Sequence, residues 1–158
     1  RILEEKAFIL GKQQYYGKAI DTLQTAHKLA KECNYSFSEA YVLKRLSTLY
    51  ETVELFGEAY RCIGSSLKIF RLMNLKHTQK VEKKCKRLRK EISQLEHELE
   101  KTEEEIKKLT KLDFKLKQNH QNNKTKPLRA KLRTLRRQSK RLKQKLGIEP
   151  GLVRLGKR

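Results

Sequence analysis

The sequence predicts an all-α protein: a fragment of a helical-repeat solenoid, followed by a long coiled-coil helix that folds back as an antiparallel hairpin. Three observations predict it. Two prolines and seven glycines are all that interrupt 158 residues, of which 36% are charged, the composition of a helix-rich chain of one or two small domains. The first 75 residues match themselves at an offset of 40, as stacked repeats do. Beyond Val81 the apolar residues recur alternately four and three apart, as a heptad seam requires.

In the first half, YYGKAIDTLQTAHKLAKECNY aligns with LFGEAYRCIGSSLKIFRLMNL, pairing Gly17 with Gly57, Ala19 with Ala59, Leu23 with Ile63, Leu29 with Ile69 and Asn34 with Asn74. Each unit of such an array buries its apolar face only against its neighbours. Small alanines allow close helix approach, Gly17 and Gly57 are expected to supply the turn before each second helix, and Asn34 and Asn74 to end it in a left-handed conformation. Apolar periodicity already runs at Ile2, Leu3 and Ala7, so the array is expected to be incomplete at its N-terminal side.

These residues resemble the tetratricopeptide repeat family over about residues 1–76. Leu43, Leu46, Ser47, Tyr50, Ala59, Ile63 and Ser66 occupy that family's pattern in one complete unit, and Leu3, Ala7, Leu10, Ala19, Leu23 and Ala26 in a partial one. The period is 40 and not 34, Leu23 and Ile63 stand where an aromatic is usual, and the closing proline is absent. The resemblance implies a concave groove lined by the first helix of each unit, holding a protein partner through Tyr41, Lys44, Thr48 and Glu51. Tyr41 and Tyr50 also read as packing between helices. A third unit would start near residue 80, but Arg87 and Lys90 stand at its small and aromatic places, and the array is expected to stop there.

Residues 77–147 then form the arm. Val81, Cys85, Leu88, Ile92, Leu95, Leu99, Ile106 and Leu109 make the seam, with Thr102 at its weak place and Leu112 and Leu116 extending it. A turn is expected over about 118–127, where QNHQNNKTKP ends at Pro127. Leu128, Leu132, Leu135, Ser139, Leu142 and Leu146 continue the register up to Gly147, a helix stop. Folding back brings the acidic EHELEKTEEE opposite Arg136, Arg137, Lys140, Arg141, Lys143 and Lys145, with parallel homodimerisation through Val81 to Leu109 as the alternative. Residues 148–158 are a basic tail.

Charge carries the functional reading. Residues 1–75 hold 11 Lys and Arg against 8 acids, whereas residues 76–158 hold 28 against 10, and Glu149 is the only acid from Phe114 onward. Such a polycation repels itself and calls for an acidic partner, contacted through Arg129, Lys131, Arg133, Arg136, Arg137, Lys140, Arg141, Lys143 and Lys145. Nucleic-acid phosphates, acidic protein tails such as those of tubulin, and anionic lipid are the candidates. Lipid is disfavoured by the single leucine stripe, and base reading by the lack of any aromatic after Phe70 except Phe114. No phosphate loop, GxSxG or HExxH occurs, so catalysis and cofactors are not expected. Cys33, Cys62 and Cys85 are far apart and His97 lies on an exposed charged helix, so no metal is expected either. The cysteines fit a reducing intracellular compartment, and no apolar run reaches the roughly 18 residues of a membrane span. The reading is a non-enzymatic adaptor or structural subunit. The alternatives are a sequence-blind nucleic-acid backbone binder in a ribonucleoprotein or chromatin-like particle, and a microtubule-associated or ciliary protein.

Overall fold

A computed structural model describes residues 2–118 and 122–148. Among these residues the chain is six helices without a strand: α1 (Ile2–Lys12), α2 (Tyr16–Glu32), α3 (Ser36–Thr52), α4 (Phe56–Leu72), α5 (Thr78–Gln118) and α6 (Asn122–Leu146). Residues 119–121 and 149–158, which hold the middle of the expected turn and nearly all of the tail, lie outside the described residues.

The first four connections are one motif repeated every 20 residues. Gln14, Asn34, Glu54 and Asn74 all have positive φ, at 63°, 56°, 59° and 47°. At each, the amide of the left-handed residue bonds three residues back and the next amide five back, as in Tyr35 N to Ala30 O and Leu75 N to Phe70 O. This is the Schellman closure, which satisfies carbonyls orphaned at a helix end. The residue that closes one helix also starts the next, since the carbonyls of Tyr15, Tyr35 and Leu55 accept from Ala19, Glu39 and Ala59. Asn34 and Asn74 act as the sequence predicts. Gly17 and Gly57 do not make turns; they lie inside α2 and α4, and the left-handed residues are Gln14 and Glu54.

Two cores follow. Ala7, Ile20, Leu23, Ala26, Val42 and Leu46 join α1, α2 and α3. Ala40, Ala59, Ile63, Leu67, Phe70, Val81 and Leu88 join α3, α4 and the start of α5. Burying a side chain such as Phe70 or Ile63 contributes about 1.5–3 kcal/mol. Ser66 Oγ donates to the Ala40 carbonyl at 2.7 Å, whereas the Ser47 hydroxyl is buried without a partner. Arg87 and Lys90 are exposed, as their misfit to a third unit implies, yet packing runs one helix further than expected. The first turns of α5 complete the second core, so residues 78–88 serve both halves of the chain.

From Ile92 onward the α5 seam meets α6. Leu99, Leu142 and Leu146 form a third cluster, flanked by Ile92 and Leu95, and Leu132, Leu135 and Ser139 are buried as well. The two helices run antiparallel, as shown by Arg129 against Asp113, Lys131 against Glu105 and Gln138 against Glu98. Val81 and Leu88 thus face the repeats, and Leu99 faces α6. From Val81 to Leu99 the seam assigned to a parallel dimer packs within one chain. Two details depart from expectation. The seam continues through Asp113 in place of Leu112, which is exposed, because the four-three alternation after Leu109 falls on residue 113. Helix also resumes at Asn122 and contains Pro127, so much of the expected turn is helical.

The hairpin also touches the repeats at its end. Gly147, at φ 70°, closes α6 with another Schellman pair, Gly147 N to Gln144 O and Ile148 N to Lys143 O. This closure rests on the first turn of α4. A methyl group on Gly57 would lie 2.7 Å from the Leu146 carbonyl carbon and closer still to its oxygen. Lys145 pairs with Glu54 at 2.9 Å. The negative end of α6 meets the positive end of α4, a favourable dipole arrangement.

Candidate protein and polyanion interfaces

The four residues assigned to a partner groove lie along α3, but only part of that surface is open. Tyr41 is half-buried, its ring 4.8 Å from Phe37 and 5.2 Å from Phe70, and the Lys44 ammonium sits 5.6 Å from the Tyr41 ring centre. Tyr41 therefore belongs to the second core. Glu51 is half-buried against α5 while Thr48 stays exposed at its edge: Lys84 Nζ donates to Thr48 Oγ1 at 2.8 Å and pairs with Glu51 at 3.3 Å, and Arg87 bonds to Glu51 as well. Burial lowers the Lys84 ammonium pKa below its usual value, with Glu51 opposing the shift. Between α3 and α5 the surface is closed by the chain's own charges.

Between α1 and α3 it is open. A groove of about 430 Å³ is lined by Ala7, Phe8, Gly11, Tyr16, Leu23 and Leu49, with Glu4, Lys12, Arg45, Thr48 and Thr52 around it. Phe8 is 60% exposed, and Arg45 is anchored to Glu4 at 3.3 Å. Thr48 is the only residue shared with the sequence-assigned set. The groove was missed because its floor comes from α1 and α2, whose apolar residues read simply as core.

Tyr50 lies between the two cores and accepts from Gln24 Nε2 at 2.8 Å. Burial raises its pKa, against the Gln24 hydrogen bond. Cys62 is pushed up to about 11 by burial, with the Glu58 charge adding to it, which leaves the thiol protonated and inert. The three cysteines are free. Among the described residues no three His, Cys, Asp or Glu gather as a metal would need, and no helix is long and apolar enough to cross a membrane.

The nine cations assigned to polyanion binding divide into two groups. Four face the rest of the chain: Arg129 pairs with Asp113 at 3.3 Å, Lys131 with Glu105 at 2.6 Å, Lys143 with Glu103 at 2.9 Å and Lys145 with Glu54 at 2.9 Å. The other five, Arg133, Arg136, Arg137, Lys140 and Arg141, are exposed. They make no ion pair among the described residues. Arg136, Arg137, Lys140 and Arg141 therefore do not oppose the acidic stretch of α5 as the sequence implied; of the cations assigned to that contact only Lys143 does, and Lys131 joins it at Glu105. At about 100° per residue the five fall within an arc of about 140°, on the side turned away from the leucine seam.

At the far end of the hairpin Asp113 is held by Lys117 at 2.9 Å and by Arg129, and its side chain is 12% exposed. The Lys117 hydrogen bond, helped by Arg129, lowers its pKa below the usual carboxylate value. Searches of protein-family models, of curated proteins and of solved structures each found no match to this chain.

Proposed function

We propose that the protein is a non-enzymatic adaptor: a tetratricopeptide-like repeat half that grips a protein partner, and a coiled-coil hairpin that lays its outer face on an acidic surface. One observation carries the reading. Internal ion pairs neutralise the cations of α6 that face the chain and leave Arg133, Arg136, Arg137, Lys140 and Arg141 together on the outside. Exposed like charges on one face repel one another by an amount that salt only partly screens, so an anionic partner stabilises the arrangement. The repeat assignment is supported by the 20-residue stride of left-handed closures, and the grip by the open groove beside Phe8.

The test compares complexes isolated at low salt from cells expressing the chain, a Phe8→Glu variant, or a variant with all five outer cations changed to Gln. Circular dichroism confirms that each keeps its helix content. Each variant is expected to lose a different component of the complex. If both retain the components of the parent chain, the adaptor reading fails.

A further inference from the structure

We propose that the outer face of α6 binds the sugar–phosphate backbone of a nucleic-acid duplex without reading its sequence. The inference rests on the adaptor reading and names the acidic surface.

The side-chain chemistry of the face distinguishes among polyanions. Four of its five cations are arginines, whose planar guanidinium gives paired hydrogen bonds to phosphate, where lysine offers a point charge. No large apolar residue interrupts the arc, since the leucines of α6 point into the seam. Protein interfaces centre on a few buried anchors in which tryptophan and tyrosine stand beside arginine, and membrane-surface helices need a broad apolar face. This surface has the arginines but neither the aromatic anchors nor the apolar face. Single strands are gripped by stacking on aromatic rings, and α6 carries no aromatic residue. Phosphates on a duplex need only the cations that are here.

The dimensions agree. Arg133 and Arg141 are eight residues apart, about 12 Å along the helix, and the major groove of B-form DNA is about 12 Å wide. A helix lying across it places Arg133 by the phosphates of one strand and Lys140 and Arg141 by those of the other. Backing by α5 keeps α6 rigid and holds its outer arc clear. Contacts of this kind go to backbone oxygens and carry no base information.

The experiment uses the whole chain and three probes: a mixed-sequence DNA duplex, an RNA duplex of equal length, and polyglutamate of matching charge, each titrated from 50 to 200 mM salt. Five phosphate contacts predict a logarithmic slope of about −4.5 on DNA, or about a 500-fold loss of affinity over that range. Changing Arg133, Arg136, Arg137, Lys140 and Arg141 to Gln should flatten the slope to near zero and weaken binding at 100 mM salt at least about a hundredfold. The control changes Lys83, Lys90, Lys101, Lys108 and Lys115 to Gln, five exposed cations spread along α5, and should keep most of the slope. DNA bound in preference to RNA supports docking across the wide groove, and equal binding supports contacts along one strand; both uphold the proposal. Equal losses in the two variants mean that net charge alone binds, which overturns it. Tight binding to polyglutamate with neither duplex bound also overturns it and leaves the adaptor reading standing. Binding to none of the three overturns it as well, and the adaptor reading is then decided by the Phe8→Glu and outer-cation variants.

Discussion

The contact between Gly57 and the end of α6 makes a sharp test of how the hairpin is seated. Two glycines lie in α4, and a methyl group means opposite things at each. At Gly64 nothing lies within 4 Å of the added carbon, so Gly64→Ala gains helix propensity, up to about 1 kcal/mol. At Gly57 the same carbon meets the Leu146 carbonyl inside van der Waals distance. Backbone atoms cannot swing aside as a side chain can, so the end of α6 must lift. Overpacking of this kind costs about 1–3 kcal/mol, with loss of the dipole contact and of the Lys145–Glu54 pair included in the motion. Propensity gains act on both variants and largely cancel in the difference. The expected gap between Gly57→Ala and Gly64→Ala is therefore about 1–3 kcal/mol, or about 3–9 °C in Tm for a chain of this size. Urea and thermal unfolding followed by circular dichroism measure it. A chain ending at Gln144 removes the obstructing carbonyl, and there the gap should close. A gap below about 0.5 kcal/mol in the whole chain, or one that persists in the shortened chain, refutes the seating of α6 on α4.

Four further outcomes follow from the packing. Ser47→Ala removes a buried hydroxyl without a partner and should stabilise by about 1 kcal/mol, read as a raised urea midpoint. Leu142→Ala should cost about 2–4 kcal/mol, and hydrogen exchange should show protection lost over α6 while α2 to α4 keep theirs. Glu51→Gln strands Lys84 and Arg87 and should cost about 1–2 kcal/mol for this half-buried cluster. Lys84 has its folded pKa below the unfolded 10.5, so the unfolded chain binds the proton more tightly. Stability gains from this group as pH rises through the interval below 10.5, and Glu51→Gln should widen that interval, as alkaline titration of unfolding will show. Asp113 has the opposite dependence. Its folded pKa lies below the unfolded 3.8, so its stabilisation is complete above that value and is lost as pH falls through the folded one. Asp113→Asn should therefore abolish the acid-dependent loss of protection near Lys117 and Arg129 in a pH series of hydrogen exchange.

How much was legible in the sequence depended on whether a feature is periodic. The α6 seam was, since Leu132, Leu135, Ser139, Leu142 and Leu146 all lie buried where the alternation put them. So were the stops at Asn34 and Asn74, because Asn tolerates a left-handed backbone. The matching stops at Gln14 and Glu54 were hidden, as nothing in those side chains favours positive φ; there the surrounding helix packing decides. Gly57 drew attention for the wrong reason. Its use is a lack of side chain beneath a distant carbonyl, a tertiary fact. The charges divided similarly. Composition showed an excess of cations, but which ones face acids depends on helix rotation and on the hairpin register, so Arg136, Arg137, Lys140 and Arg141 were placed on the wrong side. The open groove beside Phe8 is made by three helices at once and left no linear trace.

The seating of Gly147 on α4 also has a mechanical consequence. An arm joined to its base through α5 alone is a cantilever, and any bending near Leu88 would sweep its tip through a wide arc. A second support at the foot of α6 turns it into a propped beam. Load applied along the outer face of α6 is then carried to α4 in compression as well as to α5 in bending. The angle between that face and the groove beside Phe8 is thereby held nearly constant, and two bodies attached to the two surfaces would be kept at a set distance, with the protein acting as a spacer of fixed length.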